Sequence, residues 1–522
     1  MLENTMFVCL GGTGTQIGTA IGHLYPLLKE AGIADNGSVY KMFIMDKDTR
    51  GKNYEYCVNT AKNYGLFYES LPFASKPLPP YKLEKGVYQE LQQNAGILNS
   101  NYTVMNLIGE DDLMQKLANM CWKEEKQNEL LRDGNNRDPS RGSLDANVCL
   151  EHFEQSSLFK ELEETAKNKA IEDLRLVLLG GITGGMGSSL IVPLVKKIKN
   201  YYDKKDPDKI KIFEKLRIDL VLLGTYFLIP VNPDKKRKVD DIGETIDSYY
   251  RVCDQLRELE EDLIKEFPND HPWYVYYTAI PYFDDICGEF QKNGASKRFS
   301  HLLELTAALS AFALKSVAEP GLYQTVLPAD EKTGDLNIGW EELPLGNDIK
   351  IPAKNLMRLI SIIVCQLYPR FSQEAKDLKK DVYVKKYIKN PQNDMQKIEA
   401  IRTMLKEWLT CLVPYFEFWN EIQNYSKFGG TKNVVLKFFP AEDMKDLSNY
   451  FSEIFTNPFA AWENKPINKM PLLKDSWMNY LFDFKQDKTK LKKLIEIEDN
   501  TKEIFFLMIK DIYNTLEARK EE

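Results

Sequence analysis

The chain opens with strand-length apolar runs that alternate with helix-spaced apolar residues. Residues 6–10 form an apolar run that ends in glycines, and residues 16–29 then carry isoleucine and leucine at helical spacing. A second apolar run, residues 40–45, ends at Asp46. A strand, a helix and a strand joined by short connections predict a β-α-β unit, which is the start of a parallel sheet.

The same alternation continues to about residue 317. Further predicted helices cover 157–170, 189–199, 242–265 and 299–317, and further predicted strands cover 174–179, 218–227 and 274–282. Prolines cluster within residues 50–130, which predicts a long surface excursion rather than core. Beyond residue 320 the pattern favours helices, at 356–367, 395–419 and 500–518, with one strand at 433–439.

Composition narrows the class of protein. The 522 residues carry a net charge of −8, which argues against a protein that mainly coats nucleic acid. Hydrophobic residues make up 43 %, enough for a large core. The four histidines lack metal-ligand spacing, and the eight cysteines contain no C-x-x-C pair. With an N-terminal apolar run too short for a signal peptide or membrane span, we expect a cytoplasmic multi-domain protein.

Two glycine-rich turns carry the candidate chemistry. Residues 11–18, Gly-Gly-Thr-Gly-Thr-Gln-Ile-Gly, lie between a predicted strand and a predicted helix. Residues 180–189, Gly-Gly-Ile-Thr-Gly-Gly-Met-Gly-Ser-Ser, repeat that arrangement. Glycine lets a backbone approach a phosphate closely, and a helix N-terminus offers N–H groups and partial positive charge. Two such turns at one sheet edge can hold a polyphosphate from two sides.

These turns resemble the phosphate loops of the tubulin/FtsZ superfamily. Residues 11–18 are similar to the first tubulin phosphate loop, Gly-x-x-Gly-x-Gln-Ile-Gly, and residues 180–191 look like the signature GGGTGSG. Aligning Gly184, Gly185, Gly187 and Ser188 with that signature puts Met186 at its threonine; another register aligns Thr183 instead. Asp133-Gly134-Asn135-Asn136 resembles the family's γ-phosphate loop. The ordered triple indicates a divergent prokaryotic tubulin-like protein.

The resemblance implies an α/β fold with a Rossmann-like GTP-binding domain at 1–293, containing an insertion at about 50–130. A central helix at 294–318, a smaller α+β domain at 319–440 and a helical C-terminal region at 441–522 would follow.

The resemblance also implies binding residues. Ser300 stands where the family has a guanine-contacting Asn, and Asp46 suits a ribose or a Mg²⁺-bound water. The expected cofactors are GTP or GDP with Mg²⁺. The candidate binding residues are Gly11, Gly12, Thr13, Gly14, Thr15, Gln16, Asp46, Gly134, Asn135, Asn136, Gly184, Gly185, Met186, Gly187, Ser188 and Ser300.

Catalysis is less well marked than binding. In the family an acidic residue in the loop after the central helix completes GTP hydrolysis in the next protomer. Residues 319–325 look like the start of that loop, but no carboxylate follows at the family spacing. Asp330 and Glu331 are the nearest acids and the candidate catalytic residues. Either one of them substitutes through a longer loop, or turnover is slow.

Three functions remain open at this point. The leading hypothesis is a GTP-binding protein that self-associates head-to-tail in a nucleotide-dependent way. The second is a non-polymerising GTP-binding scaffold whose C-terminal helices recruit a protein partner. The third is an NAD(P)-dependent oxidoreductase, which is disfavoured because Asp46 lies 28 residues beyond Gly18 rather than at the usual ~20-residue spacing.

Overall fold

A computed structural model describes most of the first 200 residues and selected parts of the remainder. The described residues are 2–34, 39–51, 53–61, 82–97, 102–131, 139–182, 186–203, 216–224, 227–228, 273–279, 288–289, 300–317, 321–326, 333, 335–363, 394–423 and 434–439, with single residues 254, 257, 258, 261, 367, 371 and 388. The predicted helix at 500–518 and the C-terminal region 441–522 lie outside them. The four described residues of the predicted helix 242–265 are helical.

Within those residues, seven strands form one wholly parallel sheet. Its order is β3-β2-β1-β4-β5-β7-β9. The strands in chain order are β1 (Leu2–Leu10), β2 (Val39–Met45), β3 (Lys82–Glu84), β4 (Ile171–Gly181), β5 (Leu216–Leu223), β6 (Phe227–Leu228), β7 (Trp273–Ala279), β8 (Gly288–Glu289), β9 (Gly321–Val326), β10 (Leu336–Gly339) and β11 (Val434–Lys437). Outside the main sheet, β6 pairs with β8 and β10 pairs with β11.

Helices cover both faces of the sheet, which is why its central strands are continuous apolar runs. The helices are α1 (Gly11–Glu30), α2 (residues 53–61), α3 (Val87–Asn94), α4 (Val104–Ile108), α5 (Asp112–Cys121), α6 (Glu124–Gln127), α7 (Pro139–Leu150), α8 (Ser157–Lys167), α9 (Gly187–Asp203), α10 (Ser300–Ala313), α11 (Gly346–Ile362) and α12 (Met395–Gln423). One face packs against α1, α2 and α10, with α11 and α12 outside them, and the other packs against α3, α7, α8 and α9. This is the α/β parallel-sheet architecture that the sequence predicts.

Three boundaries differ from the sequence-based expectations. The helix expected from residue 16 begins at Gly11, so the first glycine turn is the first turn of α1. The region 50–130 is not only a surface excursion, because β3 is an edge strand and α3 buries Val87, Tyr88 and Leu91 against the sheet. The main sheet continues past residue 293, the expected end of the nucleotide-binding domain, since β9 lies within the expected domain 319–440 and pairs with β7.

Two arginines fix the direction of α10. Arg175 on β4 pairs with the buried Asp219 on β5 and donates to the carbonyl of Ala311 near the end of α10. Arg217 also binds Asp219 and donates to carbonyls in the turn after the helix. Arginine at a helix C-terminus satisfies carbonyls and favours the dipole. The arginines thus hold the C-terminal end of α10 at the edge of the sheet where β4 and β5 begin. Because α10 connects the parallel strands β7 and β9, its first residue, Ser300, lies at the other edge, where the strands end. At 1.5 Å per residue, the two ends of α10 are about 20 Å apart.

Candidate functional site

The two glycine turns lie at the point where the strand order reverses. β1 and β4 are neighbours in the sheet, and the chain builds outward from them in opposite directions. α1 leaves the end of β1 on one face, and α9 follows β4 on the other. In open α/β sheets such a switch point leaves a crevice at the carboxyl ends of the strands, where ligands bind. The candidate site is this crevice.

The two turns touch through their backbones. A Cβ atom on Gly11 would lie 2.7 Å from the backbone nitrogen of Gly187, and one on Gly187 would lie 2.7 Å from the carbonyl oxygen of Leu10. Gly11 also has φ +64°, a conformation that disfavours other residues. These two glycines are therefore required for the turns to meet, whether or not a ligand is bound.

Gly14 and Gly18 serve the packing of α1 on the sheet. A Cβ on Gly14 would overlap the carbonyl oxygen of Leu179 and lie 2.8 Å from the carbonyl carbon of Cys9. A Cβ on Gly18 would lie 2.6 Å from the Sγ of Cys9. Both glycines let the helix approach the strands closely, so their presence is explained by the protein itself.

Gly12 differs from the other glycines in the first turn of α1. Among the described residues, the nearest atom to a Cβ placed on Gly12 is the Nδ2 of Asn53, at an ordinary 3.5 Å, and the φ of Gly12 is not left-handed. Leu10, the residue before α1, has no side chain that caps the helix, and the first turn of α1 contains no acidic residue. The positive end of the α1 dipole is thus left without a carboxylate from its own first turn, as an anion site requires.

The polar residues of the first turn have defined partners. Thr15 is fully buried, and its hydroxyl donates to the carbonyl of Gly12 at 2.7 Å. The Nε2 of Gln16 donates to the Oδ1 of Asn53 at 3.3 Å. The side chain of Thr13 lies against Gly181, at the end of β4. Thr15 therefore shapes the turn, while Gln16 and Asn53 connect it to α2.

Residues 180–182 and 186–189 of the second turn are described, and Met186, Ser188 and Ser189 are buried at or just before the start of α9. Ser300 is the first residue of α10. The other candidate residues lie outside the described residues, namely Gly134, Asn135, Asn136, Gly184, Gly185, Asp330 and Glu331.

Asp46 lies beside the first turn. The pairing of β1 with β2 sets Met45 opposite Leu10, so Asp46 follows directly next to the start of α1. Its side chain is buried, and its Oδ1 accepts from the backbone N–H of Asp48 at 3.1 Å. Gln89 donates to its backbone carbonyl at 2.8 Å. The structure thus brings Asp46 and both glycine turns to one edge.

A buried polar network adjoins Asp46 and was not anticipated from sequence. The Nζ of Lys47 donates to the carbonyl of Leu131 at 2.8 Å, lies 3.3 Å from the Oδ2 of Asp145 and 4.3 Å from the ring centroid of Tyr102. The Tyr102 hydroxyl donates to the other Asp145 oxygen at 2.6 Å. The only sequence clue was a lysine directly after a buried strand, which is too common to single out.

Burial is the main cause of the pKa shifts of Tyr102, Cys149 and Cys9, which lie in or near the site. It raises the pKa of Tyr102 well above its usual range, and the charge of Asp145 adds to that rise. Burial likewise raises the pKa of the Cys149 thiol, again with a contribution from Asp145. Cys9, beneath Gly18, has a pKa raised by burial, by Cys57 and by Asp46. Tyr102 consequently remains a protonated donor at any physiological pH, and the buried thiols stay neutral.

Comparison with known proteins finds no match, either to a protein-family model or to a curated protein. Among the described residues, no group of three or more His, Cys, Asp or Glu side chains could hold a metal ion. No helix in the described ranges has the length and apolarity needed to cross a membrane. Arguments about function therefore depend on the geometry of the crevice and on the resemblance of its motifs.

Proposed function

We propose that the chain binds a nucleoside di- or triphosphate in the crevice between β1 and β4. The observation that carries the proposal is the junction of the two glycine turns, with Gly12 at the N-terminus of α1 meeting no closer contact than Asn53 in the described part of the chain. Close contacts between described residues explain Gly11, Gly14 and Gly187, but those residues make no contact that would require glycine at position 12. A glycine of this kind, at the positive end of a helix, supports close approach by a phosphate.

GTP is the nucleotide we propose, on the resemblance of the three motifs to those of tubulin and FtsZ. The direction of α10 supports this choice, because it sets Ser300 at the carboxyl edge of the sheet. Mg²⁺ would be held chiefly by phosphates and water, for which one or two protein carboxylates suffice. Asp46 is the described carboxylate next to the first turn and fits that requirement.

The identity of a co-purifying nucleotide is the direct test. Protein purified without added nucleotide would be denatured, and the released small molecules would be separated by ion-exchange chromatography. Guanine nucleotide at close to one equivalent is the expected result. Adenine nucleotide would reject the choice of base, and protein that neither carries nor takes up any nucleotide would reject the proposal as a whole.

We further propose that copies associate head-to-tail in a nucleotide-dependent way, with hydrolysis slow or completed between copies by Asp330 or Glu331. Light scattering with GTP and with GDP tests the association. Phosphate release measured against protein concentration tests the hydrolysis, because a site completed by a second copy gives more than linear growth. Binding without either effect would instead favour the non-polymerising scaffold.

An NAD(P)-dependent oxidoreductase is the third candidate, and the order of the strands is the observation that favours it. The order around β1 is also that of dinucleotide-binding sheets. Aligning Gly12 and Gly14 with G-x-G-x-x-G, however, places the buried Ile17 at the third glycine. Moreover, Gly14 faces the strand backbone rather than open space. Binding of NADH, followed by its fluorescence, in preference to GTP would reverse the ranking.

A further inference from the structure

Lys47 is a buried cation that the proposed phosphate site does not explain. Its side chain is 1 % exposed and that of its partner Asp145 is fully buried. Removing two charges from water is costly, so a buried pair often adds little to stability compared with apolar residues of similar size. The position of this pair in the fold, rather than its strength, is therefore informative.

On one side, Lys47 belongs to the wall of the first glycine turn. It follows Asp46 at the end of β2, and β2 is held in register beside Leu10 and the start of α1. Gln89 on α3 donates to the carbonyl of Asp46 at 2.8 Å, which ties this strand end to the neighbouring helix. The backbone of Lys47 is thus fixed close to the N-terminus of α1.

On the other side, the ammonium group binds a residue of α7. Asp145 lies on α7, and α7 packs along α9, the helix that begins at Gly187. The same ammonium group binds the carbonyl of Leu131, and Tyr102 donates to Asp145, so residues 102–131 are held as well. One side chain therefore connects the wall of the first turn to the helix that supports the second.

We propose that Lys47 is a positioning residue for the nucleotide site, which holds the walls of the two glycine turns at the separation that a bound polyphosphate requires. The inference rests on the proposed function and concerns a side chain that does not itself touch the nucleotide. Its loss should weaken nucleotide binding even where the fold is intact. That separation between affinity and stability makes the inference testable.

The experiment compares two neutralised ion pairs in the full-length protein. Lys47→Met alone leaves Asp145 buried without its cation and is expected to destabilise the fold, so the informative variant is Lys47→Met/Asp145→Asn. Its matched control is Lys41→Met/Glu161→Gln, which removes an ion pair from the same strand β2, nearer its amino end and away from the glycine turns. Thermal unfolding and the Kd for fluorescent GDP and GTP analogues are measured for each.

The variant at Lys47 should unfold at a higher temperature than Lys47→Met alone, yet bind nucleotide roughly tenfold or more weakly than the wild type, the scale on which supporting residues act in metal sites. The control should keep its Kd within about twofold of the wild type. Wild-type affinity in Lys47→Met/Asp145→Asn would overturn the inference and leave the proposed function standing. A wild-type protein that binds no nucleotide would overturn both.

Discussion

Substitution of Gly12 by alanine separates a ligand-binding glycine from a packing glycine. The new Cβ meets no atom of the described residues closer than 3.5 Å, and φ at this position is not left-handed. Gly→Ala at a compatible position stabilises a protein by about 0.4–1 kcal/mol, chiefly by restricting the unfolded chain. Gly12→Ala should therefore unfold at or slightly above the wild-type temperature.

The same methyl group occupies the space through which a phosphate would approach the N-terminus of α1. We expect nucleotide affinity to fall by at least about tenfold, which corresponds to about 1.4 kcal/mol. Fluorescence anisotropy with a labelled GTP analogue measures the affinity, and chemical denaturation of the same preparations measures the stability.

Gly14→Ala is the matched control, two residues away in the same turn. Its Cβ would overlap the carbonyl oxygen of Leu179 and lie 2.8 Å from the carbonyl carbon of Cys9, and backbone atoms cannot rotate away. Overpacking of this kind costs about 1–3 kcal/mol, so this variant should lose stability. The reasoning is refuted if Gly12→Ala binds as tightly as the wild type, or if it is destabilised as much as Gly14→Ala.

Three further predictions follow from other parts of the fold. Asp219→Asn should lower the free energy of unfolding by about 3–5 kcal/mol, because the buried Arg175 loses its countercharge, as does Arg217; denaturant titration measures this change. Burial lowers the pKa of Lys29, with Glu30 opposing, so below that pKa the folded state bears the cost of a buried ammonium group. Lys29→Met should then raise stability at pH 7, by an amount that shrinks as pH rises toward the unfolded lysine pKa of about 10.4, because Lys29 loses its proton in the folded state and then in the unfolded state. Thermal melts across that pH range measure the gain, and a gain that does not change with pH would contradict the prediction. Of Asp330→Asn and Glu331→Gln, one should abolish phosphate release while GTP binding persists, and equal turnover in both variants would exclude these acids from catalysis.

Much of the sheet was predictable because its strands are buried on both faces. Such strands appear as continuous apolar runs, and the predicted strands at residues 6–10, 40–45 and 174–179 lie within the longer strands β1, β2 and β4. The edge strand β3 was missed because its three residues, Lys82–Glu84, carry charged side chains at both ends and have no periodic pattern. The sheet membership of β9 was missed for a different reason, since pairing between β7 and β9 is a non-local choice.

Some features of the candidate site were also predictable from local sequence, and others depend on the tertiary structure. Local sequence by itself determined that two glycine turns stand between strands and helices, because the conformational freedom of glycine and the period of apolar residues are properties of neighbouring residues. Only the tertiary structure decided that the turns meet at Gly11 and Gly187, and that Gly12 meets no described atom closer than Asn53. Only the tertiary structure likewise pairs Lys47 with Asp145, almost one hundred residues away. Those relations arise from the order in which parallel strands pair, and that order depends on burial summed over the whole sheet rather than on any single segment.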